Sequence, residues 1–236
     1  MSAATLNKVG IIPARLYSTR FPKKILTDIN GKPMVIRTAE QVSKSKSLDR
    51  MFIAIDNNEA YQALKGYNYE LVMTSSEHKS GTDRIAEVVE RIKDIDIVVN
   101  IQADEPFINP ILIDKLLETH HDSSIKMSTL VSTQLSTKDY NDENIVKAFL
   151  DENNFATDFK RIAIARYKHL GIYGFTKKAL LEFISYEQTA NEKNRSLEQM
   201  RALDNGIKIK AVLTNEDSLS INTLNDLSYT YKKGDL

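Results

Sequence analysis

Four cations crowd together just past a short apolar run near the start of the chain. Val9-Gly10-Ile11-Ile12 ends at Pro13, and Arg15, Arg20, Lys23 and Lys24 follow in quick succession. Arg presents a planar fork of donors and Lys a compact point charge, and both suit phosphate oxygens. A strand that empties into a basic, turn-prone loop can hold a polyphosphate, because ligands of open α/β sheets bind beyond the carboxyl ends of the strands. For any one of these cations, a solvated loop with ordinary ion pairs is the competing reading. A second cluster is VVNIQADEPFI at residues 98–108, where an apolar strand runs into Gln102 and then Asp104-Glu105-Pro106. A carboxylate at a strand end suits Mg²⁺, which takes one or two carboxylates and leaves its other positions to phosphates and water. The same residues also suit a plain turn. The third cluster is MTSSEHKSGTDRIAEVV, which sets Thr74, Ser76, Ser80 and Thr82 around Gly81. Ser80, with Asp83 three residues on, reads as a helix N-cap. Such an N-terminus also offers N–H groups to an anion.

Histidines are sparse. His78, His120 and His121 show no metal-ligand spacing. His169, in YKHLGIYGF, falls on a strand whose alternation puts His169, Gly171 and Tyr173 on one face. That face reads either as a sugar pocket or as a half-buried patch of sheet.

The elements that must position these residues alternate along the chain. Apolar runs predict strands over residues 8–13, 51–56, 70–74, 97–102, 126–133, 145–150, 169–175 and 208–213. Several are continuously apolar, as buried parallel strands are. Helices are expected from Pro33 toward Lys44, from Ser80 with Ile85, Val88, Val89 and Ile92 on one face, and from Asn109-Pro110. A further helix is expected from Ser196, with Gln199 completing a capping box, to just before Gly206. The alternation predicts an α/β fold with a mostly parallel sheet. Residues 126–175 form a smaller antiparallel extension or dimer arm, all within one domain spanning residues 1–236. The tail YTYKKGDL is expected to fray.

Bulk properties narrow the function. Lys+Arg and Asp+Glu are equal at 32 each, so the basic loop is local and a general nucleic-acid binder is disfavoured. The absence of cysteine removes disulfides, thiolate metal sites and cysteine nucleophiles. The polar start MSAATLNK does not resemble a signal peptide, and no apolar run reaches the roughly 18 residues of a membrane span. The expectation is a cytoplasmic protein with no membrane partner. Neither GxxxxGK[ST] nor GxGxxG occurs, which disfavours P-loop and dinucleotide-binding readings.

Taken together, the motifs resemble the 3-deoxy-D-manno-octulosonate (Kdo) cytidylyltransferases. PARLYSTRFPKKILTDINGKPM matches that family's PARxxSxRxPxKxLxxIxGKPM. MTSSEHKSGTDRIAEV, VNIQADEPFI, YKHLGIYGF and LEQMRALDNG match its later motifs in the same order, over almost the whole chain. The resemblance implies a Rossmann-like nucleotidyltransferase, a homodimer, using CTP and Mg²⁺ to activate Kdo for lipopolysaccharide assembly. The sugar's anomeric hydroxyl attacks the α-phosphorus and pyrophosphate leaves, a reaction that needs positioning and charge neutralisation more than a protein nucleophile. It also implies residue roles. Arg15, Lys24 and Asp104 are catalytic. Pro13, Ala14, Ser18, Thr74, Ser80, Gly81, Thr82 and Gln102 join Arg15 and Lys24 around the nucleotide. Gln102, Arg161, His169, Tyr173 and Glu192 face the sugar acid, and Asp104 and Asn222 bind metal.

Departures from the family pattern concern mainly the metal and the sugar. Asn222, in SINTLNDL, stands where the family has a second metal-binding Asp, so weaker Mg²⁺ binding is expected unless Glu105 or Asp226 substitutes. Ala103 replaces a Gly, Lys23 and Ile25 flank Lys24 where Gly and Pro are usual, and Arg195 replaces an acidic residue. The segment over 161–167 is shortened. DSLSIN is closer to the form in relatives that use 8-amino-3,8-dideoxy-manno-octulosonate. That amino sugar or another sugar acid is therefore an alternative acceptor, and a non-catalytic nucleotide-binding relative is an alternative function.

Overall fold

The structure, a computed structural model, describes residues 6–17, 21–217, 220, 221 and 226. Ser18, Arg20, Asn222 and the tail YTYKKGDL lie outside the described residues. The chain divides into two compact units. Among the described residues, one runs to Asp114 and takes in Ser220, Ile221 and Asp226, and the other is Lys115–Asp217.

In the first unit the elements are β1 (Lys8–Ala14), β2 (Asp28–Ile29), β3 (Lys32–Pro33), α1 (Met34–Val42), β4 (Arg50–Ile55), α2 (Asn58–Leu64), β5 (Glu70–Met73), α3 (Gly81–Arg91) and β6 (Ile97–Asn100). β1 pairs in parallel with β4 and with β6, and β4 pairs in parallel with β5, giving the order β6-β1-β4-β5. Val9, Ile11, Ile12, Phe52, Ile53, Val98 and Val99 are buried, as continuous apolar runs require when both sheet faces are covered. The short β2–β3 hairpin turns through Asn30 at φ 51° and Gly31 at φ 79°. Positive φ at both central residues is what a two-residue type I′ turn demands, and Asn-Gly supplies it. Two corrections to the expected boundaries matter for the site. α1 opens at Met34, with Pro33 as the extended residue before it. β6 stops at Asn100, so Gln102 belongs to the loop beyond the sheet.

α4 (Pro110–Glu118) leads on to the second unit, whose strands are β7 (Met127–Ser132), β8 (Lys147–Leu150), β9 (Ala156–Lys160) and β10 (Tyr167–Thr176). They are followed by α5 (Lys177–Ser185), α6 (Ala190–Arg195), α7 (Gln199–Asp204) and β11 (Ile209–Thr214). β7–β10, β10–β8 and β8–β9 are antiparallel, as expected over 126–175, while β11 adds a parallel edge to β7. The expected capping box at Ser196 is absent. Ser196 is the left-handed C-cap of α6, at φ 51°, and Gln199 is already the first residue of α7. The strict alternation expected along β10 is also broken. Gly171 sits at φ 69°, and the register slips between His169, opposite Val131, and Tyr173, opposite Thr129. Four residues on β10 therefore span two on β7, a bulge that glycine's freedom permits. Among the described residues, no helix is long and apolar enough to cross a membrane.

Candidate active site

The winding of the parallel sheet reverses at β1: β4 and β5 follow on one side and β6 on the other. A crevice forms at such a switch point, beyond the carboxyl ends of the strands. A cavity of about 340 Å³ opens there. Pro13, Arg15, Phe21, Lys24 and Ile25 line it after β1, and Gln102, Ala103 and Asp104 line it after β6. His78, Lys79, Ser80, Gly81 and Arg84 complete it around the start of α3. The three clusters singled out from the sequence thus meet in one place, because the topology brings two strand ends and one helix N-terminus together.

Charge dominates the lining. Arg15, Lys24, Lys79 and Arg84 share the lining with the carboxylate of Asp104. Lys24 Nζ lies 2.5 Å from Asp104 Oδ2, both side chains being less than one-fifth exposed. Lys23, beside it, turns outward to Glu59 and holds φ 53°, the conformation for which the family's glycine is suited. The cap of α3 is formed as read: Ser80 Oγ accepts from the Asp83 N–H, and Asp83 accepts from the Ser80 N–H. A Cβ on Gly81 would sit 3.1 Å from Pro13 Cγ, so glycine lets α3 close onto the end of β1. Gln102 Nε2 donates to Asn100 Oδ1, and Asn100 Nδ2 donates to Thr82 Oγ1, a chain that orients the Gln102 amide at the cavity.

Some expected nucleotide residues sit behind the cavity wall. Ala14, Thr74 and Thr82 are buried and are not among the lining residues. Thr74 Oγ1 donates to the Ile55 carbonyl and accepts from Arg84 Nη1 at 2.6 Å. Arg84 itself is the principal residue that sequence reading missed. It is 2% exposed, and burial pushes its pKa down, with Asp56 opposing that shift and the charge of Arg15 adding to it. A signal existed: Arg84 occupies the same helical stripe as Val88, where an apolar residue is expected.

The positions assigned to the sugar acid, Gln102 apart, belong to the second unit. His169 packs edge-on to Phe159 and lies 5.4 Å, centroid to centroid, from Tyr173. Thr129 Oγ1 donates its proton to the Ile172 carbonyl, so the 2.9 Å bond to His169 Nε2 is donated by the ring. Burial lowers the His169 pKa to about 3 and raises that of Tyr173. Glu192 accepts from Arg201 Nε at 2.8 Å and Nη2 at 2.6 Å, and from Gln188. Burial pushes its pKa up, but these bonds outweigh that and hold it below the ordinary value. Arg161 spends its guanidinium on the carbonyls of Glu143, Arg195 and Ser196. Arg195 pairs with Asp158. Neither the cavity of the first unit nor a second one of about 370 Å³ near Phe155 and Lys208 is lined by Arg161, His169, Tyr173 or Glu192.

The donor set fits a Mg²⁺ that arrives with phosphates. Among the described residues, no cluster of three acidic or His ligands exists to hold an ion alone. Asp104 supplies one carboxylate on the wall of a cationic cavity, and a triphosphate would supply further oxygens.

A family model described as cytidylyltransferase matches residues 9–209. The 3-deoxy-manno-octulosonate cytidylyltransferase of Thermodesulfovibrio yellowstonii is 37% identical over 246 residues, covering 95% of this chain and 96% of that protein. The protein of the same name from Chlorobium limicola is 40% identical over 235 residues, covering 94% and 95%. Among solved structures, a CMP:2-keto-3-deoxy-manno-octonic acid synthetase complexed with CTP superposes with a TM-score of 0.91 at 30% identity, covering 98% of this chain and all of that one. A 4-diphosphocytidyl-2C-methyl-D-erythritol synthase from Anaerococcus prevotii, at 14% identity and a TM-score of 0.67, shares the fold alone.

Proposed function

Because the chain belongs to the 3-deoxy-manno-octulosonate cytidylyltransferase family, we propose that it transfers CMP from CTP to the anomeric hydroxyl of a Kdo-type sugar acid and releases pyrophosphate. The observation that carries this reading is the cationic cavity at the switch point, lined by Arg15, Lys24 and Arg84 together with Asp104 and the Ser80–Gly81 start of α3. Phosphoryl transfer there rests on positioning and charge neutralisation. Arg15 and Lys24 bind and orient the triphosphate, and the Ser80–Gly81 turn closes on it. Gln102 orients the ligand through the fixed Asn100–Thr82 chain. Asp104 would hold Mg²⁺, with Asn222, which lies outside the described residues, as its second proposed ligand. When bound, the ion supplies neutralisation of phosphate charge.

Gln102, His169 and Tyr173 are proposed for the sugar acid. Arg161 and Glu192 are proposed with them, Arg161 already donating to the Glu143 carbonyl and Glu192 already accepting from Arg201. The acting form is proposed to be a cytoplasmic homodimer serving lipopolysaccharide assembly. Pyrophosphate release from CTP, Mg²⁺ and Kdo tests the reading. Release that requires Kdo supports it. CTP binding without release across a panel of sugar acids would identify a non-catalytic relative, and a higher kcat/KM for the 8-amino sugar would reassign the acceptor.

A further inference from the structure

Asp56, one residue beyond β4, lies outside the cavity lining but bonds to two parts of the site. Its Oδ2 accepts from Arg84 Nη2 at 3.1 Å, and its Oδ1 accepts from the Leu16 N–H at 3.0 Å. Leu16 is fully buried and directly follows Arg15, which lines the cavity. Arg84 is held further by Thr74 Oγ1 and by the Ser75 carbonyl. One carboxylate therefore joins the backbone of the basic loop to the guanidinium of α3 at the ends of three strands. An apolar side chain at residue 84 would satisfy the packing of α3 with no desolvation cost. A paired guanidinium does two further things: it keeps positive potential on the cavity wall, and it orients the carboxylate that fixes Leu16.

We propose that Asp56 and Arg84 form a positioning pair that pins the peptide between Arg15 and Leu16, so that the Arg15 side chain meets an incoming polyphosphate from a fixed backbone. The proposal deepens the CTP reading and rests on it for the identity of the anion. The role of Asp56 is then exerted through Arg15, and that coupling can be measured.

The test is a double-mutant cycle on Arg15→Ala and Asp56→Ala, read as dissociation constants for CTP and for inorganic pyrophosphate by calorimetry. In the unaltered chain, Arg15→Ala is expected to weaken both ligands by about tenfold. In the Asp56→Ala background the same change is expected to cost about threefold or less, because Arg15 is already misplaced. Asp56→Asn, which keeps an acceptor for the Leu16 N–H, is expected to recover part of the affinity lost in Asp56→Ala. If Asp56→Ala does not fold, Asp56→Asn carries the cycle: its loss of the charged pair with Arg84 is expected to bring the penalty of Arg15→Ala part of the way from about tenfold toward about threefold, and full additivity again overturns the proposal. A pair that serves stability alone would lower the unfolding temperature and leave the two penalties additive, and additivity overturns the proposal. Pyrophosphate binding without CTP binding would remove the cytidylyltransferase reading while the pyrophosphate cycle still decides the role of Asp56. Binding of neither ligand to the unaltered chain would overturn both.

Discussion

At the scale of single residues, the ion pair between Lys24 and Asp104 sets the state of the free site. Each neutralises the other at the cavity wall, and under the proposed reading a triphosphate and its metal would compete for this pair. Asp104→Asn is expected to lower kcat by orders of magnitude with an unchanged unfolding curve; an unaltered rate at saturating Mg²⁺ would take Asp104 out of the reaction. His169 offers a different measurement. Its folded pKa, about 3, lies below the 6.5 of the unfolded chain. Between those values the unfolded state binds the extra proton, so this contribution is complete above 6.5 and is lost as pH falls toward 3. The slope reaches about 1.4 kcal/mol per pH unit. Urea unfolding near pH 7.5 and near pH 5 should therefore differ by about 2 kcal/mol more in the unaltered chain than in His169→Gln, which keeps a donor for Thr129. Equal differences in the two proteins would mean that the ring is charged in the fold.

Among the elements, α3 shows how one helix start can be capped and still line the cavity. Its cap and its apolar stripe were legible in the sequence because both are local patterns. The reason for Gly81 was not, since Pro13 is distant along the chain and only β1 brings it near. Gly81→Ala should push α3 off the end of β1, costing about 1–3 kcal/mol in urea unfolding and weakening CTP. Wild-type affinity in that variant would show that the approach is slack. The β10 bulge escaped sequence reading for a similar reason: alternation describes one strand, whereas the slip at Gly171 exists only relative to β7. The helix expected from Ser196 forms over Gln199–Asp204 and ends before Gly206, but its cap at Ser196 failed because α6 ends there in a left-handed residue, which propensity alone gives to glycine or asparagine and not to serine.

At the scale of the whole molecule, the first unit is discontinuous in sequence. The Ile221 N–H donates to the Asp104 carbonyl at 2.9 Å, Ser220 Oγ donates to Glu105, and Ile221 packs with Ile29 and Met34. The chain thus returns after Asp217 to brace the turn that carries Asp104. Truncation after Asp217 should lower the affinity for CTP and turnover together, and destabilise the first unit before the second; limited proteolysis with a CTP titration reads both. Protection and affinity equal to the full chain would show that Ser220 and Ile221 contribute nothing to the turn.

The α/β class, the strands with continuous apolar runs, the cap of α3 and most cavity residues could be read along the chain. These follow from periodicity, capping chemistry and ordered motifs, all of which are written in neighbouring residues. That Arg84 and Asp56 belong with Arg15, that Thr74 and Thr82 stand behind the wall, and that Glu192 and Arg161 are already bonded emerges from the folded arrangement alone. A polar side chain's role depends on which partner its donors and acceptors find across the fold, and spacing along the chain does not encode that choice.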